Sequence, residues 1–225
     1  MKPVRTGADV NLPLFDDIED TLRIEPLAPG AIVWRGGARD FARDLLSAVT
    51  EVTAQAPWRH LITPGGFRMS VSMTSCGDAG WVSDRRGYRY DAIDPDSGKP
   101  WPAMPEVFRE LAALAAVQAG FSEFDPDVCL INRYVPGARL TLHQDRDERD
   151  GRAPIVSVSL GLPAVFQFGG PKRSDPTRRI PLVHGDVAVW GGRARFFHHG
   201  VLPLKPGCHP LTGEQRINLT FRRAR

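Results

Sequence analysis

From residue 127 onward the chain is a succession of short apolar or alternating runs divided by turn residues, and few folds accommodate that pattern. The runs fall at 128–134, 139–145, 155–161, 164–168, 187–190, 196–199 and 217–221. Pro136-Gly137, Leu162-Pro163 and His184-Gly185-Asp186 separate several of them, using residues whose backbone suits a turn. Each run has the length of a strand, and the nearly even spacing predicts a jelly roll, or double-stranded β-helix. A basic loop at 169–179 carries Lys172, Arg173, Arg178 and Arg179.

The first half of the chain reads differently. Residues 1–25 mix acidic and apolar side chains without a period and are expected to form a loose arm, pinned by Leu14 and Phe15. Asp40 is placed to cap a helix in which Phe41, Leu45, Val49 and Val52 recur at helical spacing, closed by Pro57. Thr63-Pro64-Gly65-Gly66 is a turn. Phe67, Met69, Val71 and Met73 then alternate with polar residues, which predicts a half-buried strand broken at 76–80. Between Trp81 and Tyr90 aromatics interleave with Arg85, Arg86 and Arg89 around a turn. That pattern suits base stacking beside phosphate contacts, and equally an amphipathic hairpin whose aromatics are core. Pro105 and Gly120 bracket a second helix with Val107, Phe108, Leu111 and Leu114 on one stripe. The expected organisation is therefore mainly β with flanking helices (α+β). Residues 26–120 supply helices and a β-flap, and residues 121–225 supply the β-core, as one unit.

At 225 residues the chain can bury a sizeable core. No apolar run reaches membrane-span length, and the N-terminus lacks an apolar signal region. Cys76, Cys129 and Cys208 show neither metal nor disulfide spacing, so a cytoplasmic, monomeric protein away from membranes is expected. Net charge is only +3, yet 25 of the 29 cationic side chains are arginine, the side chain that grips phosphate and carboxylate with two hydrogen bonds.

His143 and Asp145 lie two residues apart on an expected strand, so they point to the same face. His199, from a distant run, completes a 2-His-1-carboxylate set that leaves positions open on Fe(II) for a cosubstrate and O₂. The last run places Arg216, Asn218, Thr220 and Arg222 on one face and Ile217, Leu219 and Phe221 on the other. Two arginines on a core face are costly unless paired, and a bound dicarboxylate would pair them. A solvated edge-strand face is the competing reading. Asn132 and Tyr134 share a face and could add an amide and a hydroxyl.

Leu130-Ile131-Asn132-Arg133-Tyr134, His143-Gln144-Asp145-Arg146-Asp147-Glu148, Ser157-Val158-Ser159-Leu160-Gly161, His184-Gly185-Asp186-Val187-Ala188-Val189-Trp190 and Arg216-Ile217-Asn218-Leu219-Thr220-Phe221-Arg222 together resemble the bacterial AlkB-type alkylated-nucleobase dioxygenases. The resemblance runs from about residue 26 to 223 and takes in the 63–66 turn and the Trp81–Tyr90 flap. It implies an Fe(II)- and 2-oxoglutarate-dependent enzyme. Such an enzyme oxidatively dealkylates bases such as 1-methyladenine and 3-methylcytosine, releasing formaldehyde and succinate. The implied substrates are alkylated single-stranded DNA, with double-stranded DNA and RNA besides. Carried over, His143, Asp145 and His199 bind iron. Arg216 pairs with the distal carboxylate of 2-oxoglutarate beside Asn132 and Tyr134, Arg222 lies near its keto-acid end, and Asn218 completes the pocket. Trp81 and His143 sandwich the damaged base, and Asp147 meets its exocyclic amine. Thr63, Tyr88 and Arg173 hold phosphates or the substrate's edge. His198 departs from the pattern, and as a strand neighbour of His199 it should face away. His184 reads as a turn residue, His60 and His209 as surface residues. A protein or small-molecule hydroxylase on the same core is the alternative, and a non-catalytic metal-stabilised binding module a further one.

Overall fold

In chain order the described residues, 23–225 of a computed structural model, form β1 (Arg23–Ala28), β2 (Ala31–Arg35), α1 (Ala42–Gln55), β3 (Ser72–Gly77), β4 (Gly80–Asp84), β5 (Gly87–Asp91) and α2 (Glu106–Gln118). The core strands follow: β6 (Val128–Tyr134), β7 (Leu140–His143), β8 (Ile155–Gly161), β9 (Ala164–Phe168), β10 (Arg178–Leu182), β11 (Val187–Trp190), β12 (His199–Val201) and β13 (Arg216–Arg222). An antiparallel sheet runs β1-β2-β11-β8-β13-β6-β3, a second runs β10-β9-β12-β7, and β4 pairs with β5 as a hairpin. The expected jelly roll is what forms. β1 opens inside the stretch read as an arm; Leu14 and Phe15 lie outside the described residues.

The alternation in β13 decides what each face of the large sheet meets. Ile217, Leu219 and Phe221 turn outward with Ile131, Val156, Val158 and Leu160 and pack under α1 and α2. Phe108 meets Phe221 edge-on, ring centres 5.7 Å apart, and burying such a ring contributes roughly 2–3 kcal/mol. The opposite face carries Leu130, Tyr134, Ala188 and Trp190, packed on Phe166, Phe168, Ile180 and Leu182 of the small sheet. Arg216, Asn218, Thr220 and Arg222 project into that inter-sheet space and are buried. They are not on a solvated edge: β13 is flanked by β8 and β6.

Four local expectations need correction. Asp40 does not cap α1; Phe41 precedes the helix, with no side-chain cap. The turn before it satisfies one of the first donors, Ala42 N–H bonding Arg39 O, and the helix's own bonding starts with Leu45 N–H to Phe41 O. The strand expected from Phe67 begins at Ser72 and continues through Cys76 and Gly77. Phe67 is 76% exposed, whereas Ser72 and Thr74 are buried because β3 is covered on both faces, Thr74 Oγ1 donating to Ala56 O. On α2 the buried face is Phe108, Leu111, Ala112, Ala115 and Ala116, while Leu114 is 40% exposed. Small alanines let the helix sit close to its neighbours, so the deepest stripe is not the bulkiest one. Arg178 and Arg179 belong to β10, not to the basic loop.

Candidate active site

β7 and β12 are antiparallel neighbours whose register sets His143 opposite His199. His143 ends β7 and His199 begins β12, so neither strand extends as far as the sequence suggests: Asp145 stands in the following loop, and 196–198 are irregular. Gly200 lets the two strands approach, since a Cβ there would lie 2.8 Å from Leu140 O and 3.1 Å from Leu142 N. Asp145 is held from behind by Arg222 Nη2, 3.2 Å from Oδ1, and by Arg195 Nη1, which donates to its backbone oxygen at 2.9 Å.

The result is a tight donor cluster. His143 Nε2 lies 3.8 Å from Asp145 Oδ1, and His199 Nε2 lies 3.6 Å from Oδ2. The three ligand atoms fall within 4.8 Å of one another. His143 Nδ1 is 2.8 Å from Thr141 O and His199 Nδ1 is 3.0 Å from Phe197 O. A carbonyl only accepts, so each Nδ1 carries the proton and each Nε2 turns a lone pair toward the carboxylate. Burial, then the neighbouring His143, pushes His199 down to about 4, which keeps its imidazole neutral. Burial alone would raise the Asp145 carboxyl, but Arg222, His199 and His143 together hold it well below the usual carboxylate range. Its Oδ2 is buried and accepts no hydrogen bond. Two imidazole lone pairs and a bare carboxylate oxygen suit a divalent transition metal, and all three donors come from one side, as Fe(II) with open positions requires. His143 remains 38% exposed and forms the open edge. His198 is not in the cluster; its Nδ1 lies 3.3 Å from Gly170 O.

Beside the cluster is a buried cationic pocket. Arg216 is 1% exposed, its Nη2 bonds Ser159 Oγ at 3.0 Å, and its guanidinium lies 4.9 Å from the centre of the Tyr134 ring. No acidic side chain pairs with it among the described residues, and Nε and Nη1 are buried without a partner. Arg222 Nη1 and Asn132 Oδ1 are likewise unpartnered. Burial lowers the Arg216 guanidinium from its ordinary value and lifts the Tyr134 phenol to about 12, so Tyr134 stays a neutral donor. Orphaned donors from two arginines fit a dicarboxylate such as 2-oxoglutarate. Asn218 is occupied differently: its amide donates to Ser157 Oγ and Val158 O and accepts from Thr220 Oγ1.

Three residues of this site have no individual role legible in the sequence. Glu148 accepts from Tyr90 Oη at 2.7 Å, pairs with Arg195 Nη2 at 3.1 Å and lies 3.1 Å from Arg222 Nε. Glu148, Arg195 and Tyr90 thus form a buried frame behind Asp145 and Arg222. Only long-range folding brings them together, and no spacing rule relates 90, 148 and 195. Trp190 and Phe166 wall the metal cluster, with ring centres 4.8 and 5.9 Å from that of His199.

The flap is tied to the same loop. The Trp81 indole stacks on Tyr88 at 5.2 Å and donates from Nε1 to Asp147 Oδ2 at 2.8 Å. Tyr88 is exposed, whereas Tyr90 is tied to Glu148, so the interleaved aromatics split between an outer and a core role. Arg173 Nη1 donates to Leu142 O at 2.6 Å, next to His143. Thr63 Oγ1 accepts from Phe67 N–H within its turn. His184 and His209 stack at 4.4 Å, half-buried and apart from the cluster, and His60 is half-buried beside Met69 O.

Comparison with known proteins gives a consistent picture. The 2OG-Fe(II) oxygenase superfamily model matches residues 40–222. The alpha-ketoglutarate-dependent dioxygenase AlkB of Escherichia coli (strain K12) is 58% identical over 213 residues, covering 95% of this chain and 98% of that protein. A nucleic acid dioxygenase, ALKBH1 of Mus musculus, is 31% identical over 132 residues, 58% of this chain and 33% of its own length. The solved structure of OsALKBH1 superposes with a TM-score of 0.79 at 27% identity, covering 89% of this chain and all of that one.

Proposed function

The chain belongs to the 2OG-Fe(II) oxygenase superfamily and, within it, to the AlkB-type dioxygenases, and from that membership we propose that it removes N-alkyl groups oxidatively from the bases of nucleic acids. The observation that carries this reading is the His143–Asp145–His199 donor cluster beside the unpartnered nitrogens of Arg216 and Arg222. In this reading His143, Asp145 and His199 hold the iron. Fe(II) bound there, with 2-oxoglutarate and O₂, supplies the oxidising power that hydroxylates the N-alkyl carbon, after which the alkyl group leaves as an aldehyde. Arg216 takes the distal carboxylate of 2-oxoglutarate, with Asn132 and Tyr134 beside it. Arg222 serves the keto-acid end and at the same time fixes Asp145.

Burial supports the substrate side of this reading. Asp145, in the loop after β7, is buried, so a base stacked in a duplex cannot reach the donor cluster and must leave the stack. Bases such as 1-methyladenine and 3-methylcytosine, which cannot pair normally, leave it most easily. Single-stranded DNA is therefore the preferred substrate, with duplex DNA and RNA also accepted. Trp81 and His143 face the two sides of the flipped base. Asp147, with Oδ2 on the indole, offers Oδ1 to the base's exocyclic amine. Thr63, Tyr88 and Arg173 hold the flanking backbone. No helix among the described residues is long and apolar enough to cross a membrane. We read the enzyme as a cytoplasmic monomer, in keeping with its three free cysteines.

The test is which molecule stimulates 2-oxoglutarate turnover. A 1-methyladenine oligonucleotide should stimulate it well above an unmethylated oligonucleotide or a peptide mixture. Stimulation by peptide or free amino acid alone would reassign the enzyme.

A further inference from the structure

One basic groove lies outside every role assigned above. It is a shallow, solvent-open depression of about 580 Å³ between the segment that follows Asp145 and the segment that follows Arg222. Arg149, Asp150 and Arg152 line it from the first segment, Arg223 and Arg225 from the second, so four cations face one carboxylate. Arg152 Nε pairs with Asp150 at 3.0 Å, and Arg225 Nη1 donates to Asp78 O at 3.2 Å. Arg149 and Arg223 are exposed, and neither makes an ion pair among the described residues. Phe196 also lines the cleft and is 41% exposed. Its ring is held in place: a Cβ on Gly151 would meet Phe196 Cζ at 2.7 Å, and the Arg195 guanidinium sits 5.2 Å from the ring centre.

The groove wall shares a chain segment with the active site. Asp145 belongs to the metal cluster, Asp147 holds Trp81, Glu148 holds Tyr90, and Arg149 begins the groove wall. Four residues separate Asp145 from Arg149 by at most about 14 Å. That span is at most about four nucleotides of a stacked strand. Two unpaired arginines and a fixed aromatic face are what a polynucleotide backbone and one of its bases require.

We propose that this groove binds the sugar–phosphate backbone of the substrate strand a few nucleotides from the base being dealkylated, with Phe196 as a stacking surface. The inference rests on the dealkylation reading above and adds a length requirement to it: only a strand long enough to reach Arg149 and Arg223 uses the groove.

The test compares Arg149→Gln/Arg223→Gln with wild type on a 1-methyladenine trinucleotide and on a long single-stranded oligonucleotide with the same central lesion. KM for the long substrate should rise about tenfold, and the slope of log affinity against log salt should fall by about 1.4, near 0.7 per lost phosphate contact. Turnover of the trinucleotide should stay within about twofold. Arg149→Lys/Arg223→Lys, which keeps both charges, should retain the wild-type salt slope. An equal loss on both substrates, or no loss on the long one, overturns the groove. Wild-type turnover of the trinucleotide would still uphold dealkylation, so the two failures are distinguishable.

Discussion

Arg222 Nη2 stands 3.2 Å from Asp145 Oδ1, so the side chain proposed to meet the cosubstrate also orients the carboxylate of the donor cluster. Burial works against a charge on Arg222, and Asp145, Tyr90 and Glu148 more than restore it, leaving the guanidinium held above its ordinary value. The two halves of the site, one on each sheet, are coupled through this contact.

Arg216 should matter for the cosubstrate and not for the metal. Its nearest polar partner is Ser159, not an acid, and two of its nitrogens are free. Arg216→Ala should weaken 2-oxoglutarate binding by roughly 2–5 kcal/mol, the loss on removing one side of a buried charge pair. Calorimetry should record this with Mn(II) or Fe(II) affinity nearly unchanged. Equal 2-oxoglutarate affinity in the variant would remove Arg216 from the pocket.

Glu148 should be a stability residue. Its side chain is 2% exposed and touches Arg195, Arg222 and Tyr90. Glu148→Ala removes the carboxylate shared by two buried guanidinium groups, Arg222 keeping Asp145 and Arg195 keeping two backbone carbonyls, and should cost roughly 3–5 kcal/mol of folding free energy. Urea unfolding measures this directly; a change under about 1 kcal/mol would mean the frame is not structural.

Trp81 should affect substrate and leave cosubstrate alone. Base–aromatic stacking is worth about 1–3 kcal/mol, so Trp81→Ala should weaken methylated-oligonucleotide binding by about one to two orders of magnitude. Uncoupled 2-oxoglutarate turnover should persist. The indole also stacks on Tyr88 and bonds Asp147, so the melting temperature needs measuring on the same preparation. Lost stability with affinity intact would make Trp81 a flap strut.

The flap's anchor should show in acid. Arg59 grips both oxygens of buried Asp94 and lowers its carboxyl to about 2. An unfolded aspartate titrates near 3.9, so the folded value is the lower one. The stabilisation is therefore complete above about pH 4–5 and is lost as pH falls toward about 2, amounting to roughly 1–3 kcal/mol. Asp94→Asn should narrow its stability gap to wild type across that window. A gap independent of pH would contradict the ion pair.

The sequence already contained most of the sheet. The alternation in 217–221 is strict because one face meets helices and the other a polar pocket, and it puts Arg216 on the pocket face, where the register pairs it with Tyr134. The donor residues were also legible, because His143, Asp145 and His199 are types with few other buried uses. What was hidden depends on long-range contact. Phe67 alternates like a strand residue yet has nothing to pack on. Leu114 is bulky yet lies off the face that α2 turns inward. Glu148 looks like any surface acid in a run of charges until the fold brings Arg195 against it.

Formaldehyde released from a 1-methyladenine oligonucleotide, with and without Fe(II), tests the central claim most directly when wild type, His199→Ala and His198→Ala are compared. His199 Nε2 faces Asp145, whereas His198 lies against Gly170 O. Wild type should release formaldehyde and succinate in equal amounts and only with Fe(II) and 2-oxoglutarate present. His198→Ala should keep most of that activity, and His199→Ala should lose both bound iron and turnover. Formaldehyde release by His199→Ala near the wild-type rate, or by wild type without iron, would contradict the account.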